Sequence, residues 1–210
     1  MAIVAIVGID GCGKTTQAKM LVERLRKEGN EAMYVQPVFV LLNILTRSKN
    51  NDVILISPRK TRVSQMNSHR RLFSVWKTVL CPLGYLYALA TYLYMKFYLG
   101  RGNKIAVCDR YFYQFFFDLF GNWSEKVVKF FPKADVTFFL DGDLDIFYSR
   151  MKDSFDASVD RNYYIDVLNL YRRLSKKYGF IWINANHGKE EINDIILRAI
   201  KEKIGVKYNE

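Results

Sequence analysis

Short runs of consecutive apolar residues alternate along the chain with stretches in which apolar residues recur every three or four positions. The runs at 3–7, 32–36, 104–108, 136–140 and 180–184 have the length and continuity of strands buried on both faces. Between them, Ala18, Leu21, Val22 and Leu25 follow the spacing of a helix with one buried stripe, as do Tyr164, Val167, Leu168 and Tyr171, and then Ile192, Ile195, Ile196 and Ala199. Strands and helices alternating in this way predict an α/β fold, with a five-stranded parallel sheet between two layers of crossover helices. Leu41, Leu42 and Leu45 suggest a further helix, followed by a loop around 50–58 where no period holds. No repeat, low-complexity tract or linker interrupts the pattern, so residues 1–210 read as one domain.

Residues 78–95 contain no charged side chain, a run that reaches the lower length limit of a membrane-spanning helix. Pro82 and Gly84 interrupt it early, and Tyr85, Tyr87, Tyr92 and Tyr94 bring hydroxyls for which a bilayer offers no partners. The expectation is a long helix buried in a core or an interface, not in a membrane.

Composition narrows the picture further. At 210 residues, half apolar and one quarter charged, the chain is long enough for a proper core and unlike a disordered, collagenous or coiled-coil sequence. Its formal charge of +11 favours phosphate-bearing partners without choosing among them. Three cysteines with no C-x-x-C pair, and two histidines far apart, give no zinc pattern and fit a reducing, cytoplasmic setting. The apolar start has no basic region before it and is too short for a signal peptide.

The chemistry begins where the first strand ends. Gly8-Ile9-Asp10-Gly11-Cys12-Gly13-Lys14-Thr15 matches G-x-x-x-x-G-K-[ST] between an apolar strand and an amphipathic helix. Such a loop turns successive backbone N–H groups, and the positive end of the helix, toward phosphate oxygens. Lys14 is placed to reach the outer phosphates, the Thr15 hydroxyl is a ligand for Mg²⁺, and Thr16 completes the nucleotide-binding run. Asp10 is not required by the motif, and a carboxylate inside a phosphate cradle needs a partner, for which a sugar hydroxyl is the natural choice. Asp109-Arg110-Tyr111 closes the third strand and brings a carboxylate and a guanidinium to the edge where open α/β sheets bind ligands.

With these residues the chain resembles the thymidylate kinase family of P-loop nucleoside monophosphate kinases. The resemblance rests on Gly8 to Gln17, on Asp109-Arg110-Tyr111, on the run from Ala134 to Asp141 followed by Arg150, and on the tail from Tyr164 to Ile200. It implies a three-layer P-loop kinase fold with a lid at about 151–161, ATP and Mg²⁺ as cofactors, and phosphoryl transfer from ATP to a nucleoside monophosphate, thymidylate first. It further implies that Asp10 holds the acceptor's 3′-hydroxyl, that Asp109 organises Mg²⁺ through water, and that Arg110 bridges donor and acceptor phosphates. Phe73 looks like the ring on which the acceptor base stacks, with Lys77 at the base edge. Arg150 resembles the residue packed on the donor adenine, and the loop 184–188, with Ala185, resembles the rim around it. The transferring phosphoryl group also needs a cation beyond Lys14, which the lid region would supply from Arg150, Lys152 or Arg161.

Two departures leave the acceptor open. The family's Arg-Glu-Pro-Gly-Gly-Thr after the second strand is replaced by Val35-Gln36-Pro37-Val38-Phe39, so Arg59, Arg62, Arg70 or Arg71 would have to supply the lost guanidinium. Asp118 stands where the family usually sets an aromatic ring against a deoxyribose, which points to an acceptor hydroxyl there. A nucleoside or other small-molecule kinase is the alternative within the class, and a P-loop NTPase acting with nucleic acid is the alternative outside it. The partners expected are a nucleotide acceptor and a second copy of the chain, docked through 78–100, with neither membrane nor nucleic acid.

Overall fold

A computed structural model describes residues 1–41, 70–99, 104–150 and 160–205, without the side chains of 70–80 and 98–99. Five strands, β1 (Ala2–Val7), β2 (Ala32–Val35), β3 (Ile105–Asp109), β4 (Val136–Asp141) and β5 (Ile181–Asn184), form one parallel sheet in the order β2-β3-β1-β4-β5. Each lies within a residue or two of the apolar run that predicted it. β1, β3 and β4 are buried almost throughout, because helices cover both faces.

The order of the strands decides where the helices go. The chain moves one way along the sheet from β1 to β2 and the opposite way from β2 to β3, β4 and β5. Right-handed crossovers therefore put α1 (Lys14–Lys27) on one face and the helices of the later connections on the other. Those helices are α2 (Arg70–Tyr94), α3 (Phe112–Phe120), α4 (Ser124–Phe130), α5 (Leu144–Arg150) and α6 (Arg161–Tyr178). The last helix, α7 (Lys189–Ile204), returns to α1, where Asn193 donates to the Gln17 side chain at 2.9 Å and Gln17 donates to the Lys189 carbonyl at 2.9 Å. The three predicted layers are present. The direction of winding reverses between β1 and β3, so the crevice beyond their carboxyl ends is where a ligand belongs.

The second layer is held by aromatic rings. Phe131 meets Tyr85, Tyr92, Tyr111, Phe112 and Phe116 with ring centroids 4.9–6.2 Å apart. Fully burying one such ring contributes about 1.5–3 kcal/mol, so this cluster fastens α2 and α3 over the sheet. α2 bears out the expected long helix, but Pro82 does not stop it: the helix starts at Arg70 and runs through the proline. Packing is the reason, since α3 braces this turn. Cys81 donates its thiol to the Leu119 carbonyl at 3.3 Å, and a Cβ at Gly84 would sit 2.3 Å from Leu119 Cδ1, so a larger residue there would have to displace the Leu119 side chain. No helix among the described residues is long and apolar enough to cross a membrane. The helix and loop expected at 41–58 and most of the expected lid, 151–159, lie outside the described residues.

Candidate active site

The phosphate loop leaves β1 where β4 crowds it. A Cβ at Gly8 would come within 2.7 Å of both the Leu140 carbonyl and Cys12 Sγ, so the turn closes only around glycine. Cys12 is buried inside that turn, its N–H bonded to the Ile9 carbonyl at 3.4 Å, and burial pushes its thiol above the ordinary value. α1 then starts after Gly13, with its first-turn N–H groups facing the crevice.

Two buried carboxylates organise the charged groups. Asp10, 4% exposed, accepts from the Lys14 ammonium at 3.5 Å and from the Arg110 guanidinium. Lys14, also 4% exposed, is held in addition by the Ile9 carbonyl. Arg110 reaches Asp10 because its backbone is left-handed, with φ 70°, a conformation that costs an L residue about 1–2 kcal/mol. Its N–H bond to the Ile6 carbonyl at 3.0 Å and its ion pair with Asp10 hold it there. A strained non-glycine residue at a sheet edge is where functional constraint concentrates.

Asp109, 1% exposed, is held at one oxygen only. Its Oδ2 accepts from Thr15 Oγ1 at 2.6 Å, from the Tyr34 hydroxyl at 2.6 Å and from Gln36 Nε2 at 3.3 Å. Its Oδ1 is buried with no hydrogen-bond partner among the described residues. Burial, and then the Asp109 carboxylate, push the Tyr34 hydroxyl above its ordinary value, so it acts as a donor. Thr15 lines the cavity, and its Oγ1 could face a hard cation, while Asp109 Oδ1 is enclosed by protein.

A cavity of about 360 Å³ opens over the loop and the first turn of α1, with Arg110 and Arg150 at its sides. Arg150 lies against it, 3.5 Å from the Gly11 carbonyl and with its guanidinium 5.9 Å from the Phe147 ring. The cavity thus brings together Lys14, Thr15, Thr16, Arg110 and Arg150 as the sequence suggested. Asp10 is there too, but with two cations as partners instead of only the expected hydroxyl.

Other predicted residues stand elsewhere. Arg161 opens α6 and is ion-paired with Asp145, so it is not among the residues lining the cavity. Ala185 is buried and donates its N–H to the Asp141 carbonyl at 2.7 Å, beside the cavity and not in its wall. Phe73, Lys77, Arg70 and Arg71 are placed in α2 by their backbone alone, while Lys152, Arg59 and Arg62 lie outside the described residues.

A ribbon of polar side chains runs outward from the phosphate end. Arg110 Nη1 donates to Gln114 at 3.4 Å, Gln114 Nε2 to the Tyr163 hydroxyl at 3.0 Å, and that hydroxyl to Asp118 at 2.6 Å. Gln114 and Asp118, four apart in α3, share one face of the helix, and Arg110 reaches Gln114 from just before it.

No family model matches the chain. Among curated proteins, a probable thymidylate kinase of Sulfurisphaera tokodaii is 27% identical over 206 residues, covering 94% of this chain and 94% of that protein. A probable thymidylate kinase of Saccharolobus solfataricus is 24% identical, covering 96% and 98%, and a thymidylate kinase of Ehrlichia ruminantium is 27% identical, covering 92% and 95%. The chain is similar to thymidylate kinases along nearly its whole length.

Within that family frame, the sequence reading missed Tyr34, Gln36 and Tyr163 as parts of the site, and Gln114 with them. Gln36 had a signal, since it precedes Pro37 where the family carries Glu, and Gln114 had one in its spacing of four from Asp118. Tyr34 and Tyr163 had none, because each meets its partner only through the fold. Asp141 is a fifth such case: it ends β4 and takes two bonds of 3.1 Å from Arg172 of α6, fixing the strand end beside the loop at 184–187.

Proposed function

We propose that this protein transfers the γ-phosphoryl group of ATP to a nucleoside monophosphate, with dTMP the first acceptor to test. The observation that carries the reading is the cavity in which Lys14, Arg110 and Arg150 surround one space above the phosphate loop, with Thr15, bonded to Asp109, in its wall. Cations fixed around a transferring phosphoryl group stabilise the charge on its equatorial oxygens. An acceptor phosphate oxygen would attack the γ-phosphorus, the bond from that phosphorus to the β,γ-bridging oxygen would break, and ADP would leave. The acceptor oxygen is already ionised, so no proton has to be removed.

The residues present fit Mg²⁺. This cation takes one or two protein oxygens together with phosphate oxygens. Thr15 donates its proton to Asp109, which leaves its lone pairs for a metal, and the Asp109 carboxylate fixes the direction of that hydroxyl from behind. When bound, Mg²⁺ would neutralise charge on the β and γ phosphates.

The carboxylates argue against a nucleoside kinase. An alcohol acceptor needs a general base within hydrogen-bond reach. Among the described residues, Asp10 is held by two cations, Asp109 by three donors, and Gln36 brings an amide where a second acid would stand. A coupled ADP-release assay over nucleoside monophosphates and nucleosides tests the reading. Mg²⁺-dependent turnover with monophosphates is expected, dTMP included, and turnover confined to nucleosides would overturn it.

The outer face of α2 supports a homodimer. Leu83, Leu86 and Leu93 are 56%, 58% and 42% exposed, and Phe97 in the π-helical turn that follows (Met95–Leu99) is 73% exposed. An apolar stripe of this kind on a single chain is a liability that a second copy would cover. Leu86→Glu is expected to convert the assembly to monomer in light scattering, and a wild type already monomeric at micromolar concentration would contradict the dimer.

A further inference from the structure

The Asp109 carboxylate is gripped from strand β2, a part of the fold the phosphate loop does not include. An oxygen of a carboxylate has two lone-pair positions. At Oδ2 the two shortest bonds, both 2.6 Å, come from Thr15 and Tyr34. Gln36 is farther, at 3.3 Å, and lies closer to the Tyr34 hydroxyl, to which it donates at 2.8 Å. The hydroxyl therefore accepts from Gln36 and donates to Asp109, and its direction is set from behind. Register explains the reach: Tyr34 pairs with Val107, two residues before Asp109, and the length of the phenol carries its oxygen to the strand end.

The consequence lies at Thr15. With the Tyr34 hydroxyl at one position on Oδ2, the other is left for the hydroxyl of Thr15, a residue that lines the cavity, while Oδ1 is enclosed by protein. We propose that Tyr34, backed by Gln36, is a positioning residue that holds Asp109 Oδ2 against the Thr15 hydroxyl, so that the Thr15 oxygen keeps its lone pairs for the divalent cation, and so sets the cation affinity of the site from β2. The inference rests on the kinase reading above, in which a nucleotide and Mg²⁺ share the cavity. Partners that hold a metal-facing group in this way typically alter metal affinity about 10–100-fold when removed.

The test compares wild type with Tyr34→Phe, which removes one oxygen and keeps the ring. Binding of Mn²⁺, a paramagnetic stand-in for Mg²⁺, is followed by electron paramagnetic resonance in the presence of ADP. ADP affinity in EDTA is measured by calorimetry, and turnover is titrated with Mg²⁺. The expected result is Mn²⁺ binding weakened about tenfold and a half-saturating Mg²⁺ concentration raised to match. ADP affinity in EDTA stays within about twofold, and kcat is restored at saturating Mg²⁺. A residue that only braced the β2 edge would lower thermal stability without these effects. Equal Mn²⁺ affinity and equal Mg²⁺ titrations in the two proteins would overturn the proposal. If Tyr34→Phe does not fold, Gln36→Leu decides it, with a smaller shift in the same direction expected and no shift overturning it. A wild type that binds ADP but takes up no Mn²⁺ with it would sink the kinase reading along with the proposal, whereas a wild type that binds Mn²⁺ and variants that match it sink the proposal alone.

Discussion

At the phosphate end of the cavity the working groups are Lys14 and Asp109, both buried and both carried on the sheet edge or on the first turn of the helix that leaves it. Farther out, beyond the residues that line the cavity, Gln114, Tyr163 and Asp118 meet across two helices, and Asp118 is exposed. The difference concerns what each end can tolerate. A buried charge stripped of its partner is costly, so the phosphate end can change little without losing both stability and chemistry. An exposed residue on a helix can be exchanged at small cost to folding, so the outer end is where substrate choice can drift. The departures from the thymidylate kinase pattern follow this only in part: the phosphate loop and Asp109-Arg110-Tyr111 are kept and exposed Asp118 differs, but Val35 and Gln36 also differ, and Gln36 reaches Asp109.

The severest test of this contrast is Lys14→Ala. Removing one group that stabilises transition-state charge typically lowers kcat about 10²–10³-fold, and a loss of that size is expected in a coupled assay with ATP and dTMP. Near-normal turnover would mean that the buried end does not do the chemistry. Asp109→Asn keeps the shape but weakens the group that holds the Thr15 hydroxyl, and a fall of about 10–100-fold is expected, partly recovered by raising Mg²⁺.

The outer end calls for a different measurement. Asp118→Phe removes a carboxylate at the end of the ribbon while leaving Lys14, Thr15 and Asp109 in place. If the carboxylate receives an acceptor hydroxyl, the ratio of kcat/KM for UMP to that for dTMP falls about tenfold, with ATP affinity unchanged. A ratio unaltered by the substitution would leave Asp118 as a partner of Tyr163 and nothing more. The smallest effect belongs to Arg161→Ala. Its guanidinium is engaged by Asp145 on the surface, so kcat is expected to change by less than about twofold, and a larger loss would bring Arg161 back as the lid cation.

Legibility in the sequence followed the distance between partners. The strands could be read because a strand covered on both faces is a continuous apolar run, and β1, β3 and β4 are buried in that way. The long helix was legible, but its passage through Pro82 was not, since the support comes from Leu119 of α3. Asp10 invited a hydroxyl partner because the sequence does not reveal that Arg110, a hundred residues away, takes a left-handed backbone and turns onto it. Arg161 was a reasonable lid cation by position in the chain and is placed beside Asp145 by the start of α6.

The sequence by itself determined the phosphate chemistry. A loop whose glycines, lysine and threonine are contiguous carries its own geometry, because the strand before it and the helix after it are set by local apolar periodicity. The tertiary structure alone decided how the distant groups are aimed. Tyr34 and Asp109 are 75 residues apart, Tyr163 and Asp118 are 45 apart, and each pair meets only after parallel strands or packed helices have formed. Side-chain hydrogen bonds of this kind depend on register and on approach to within a few tenths of an ångström, which long-range packing sets and local sequence does not.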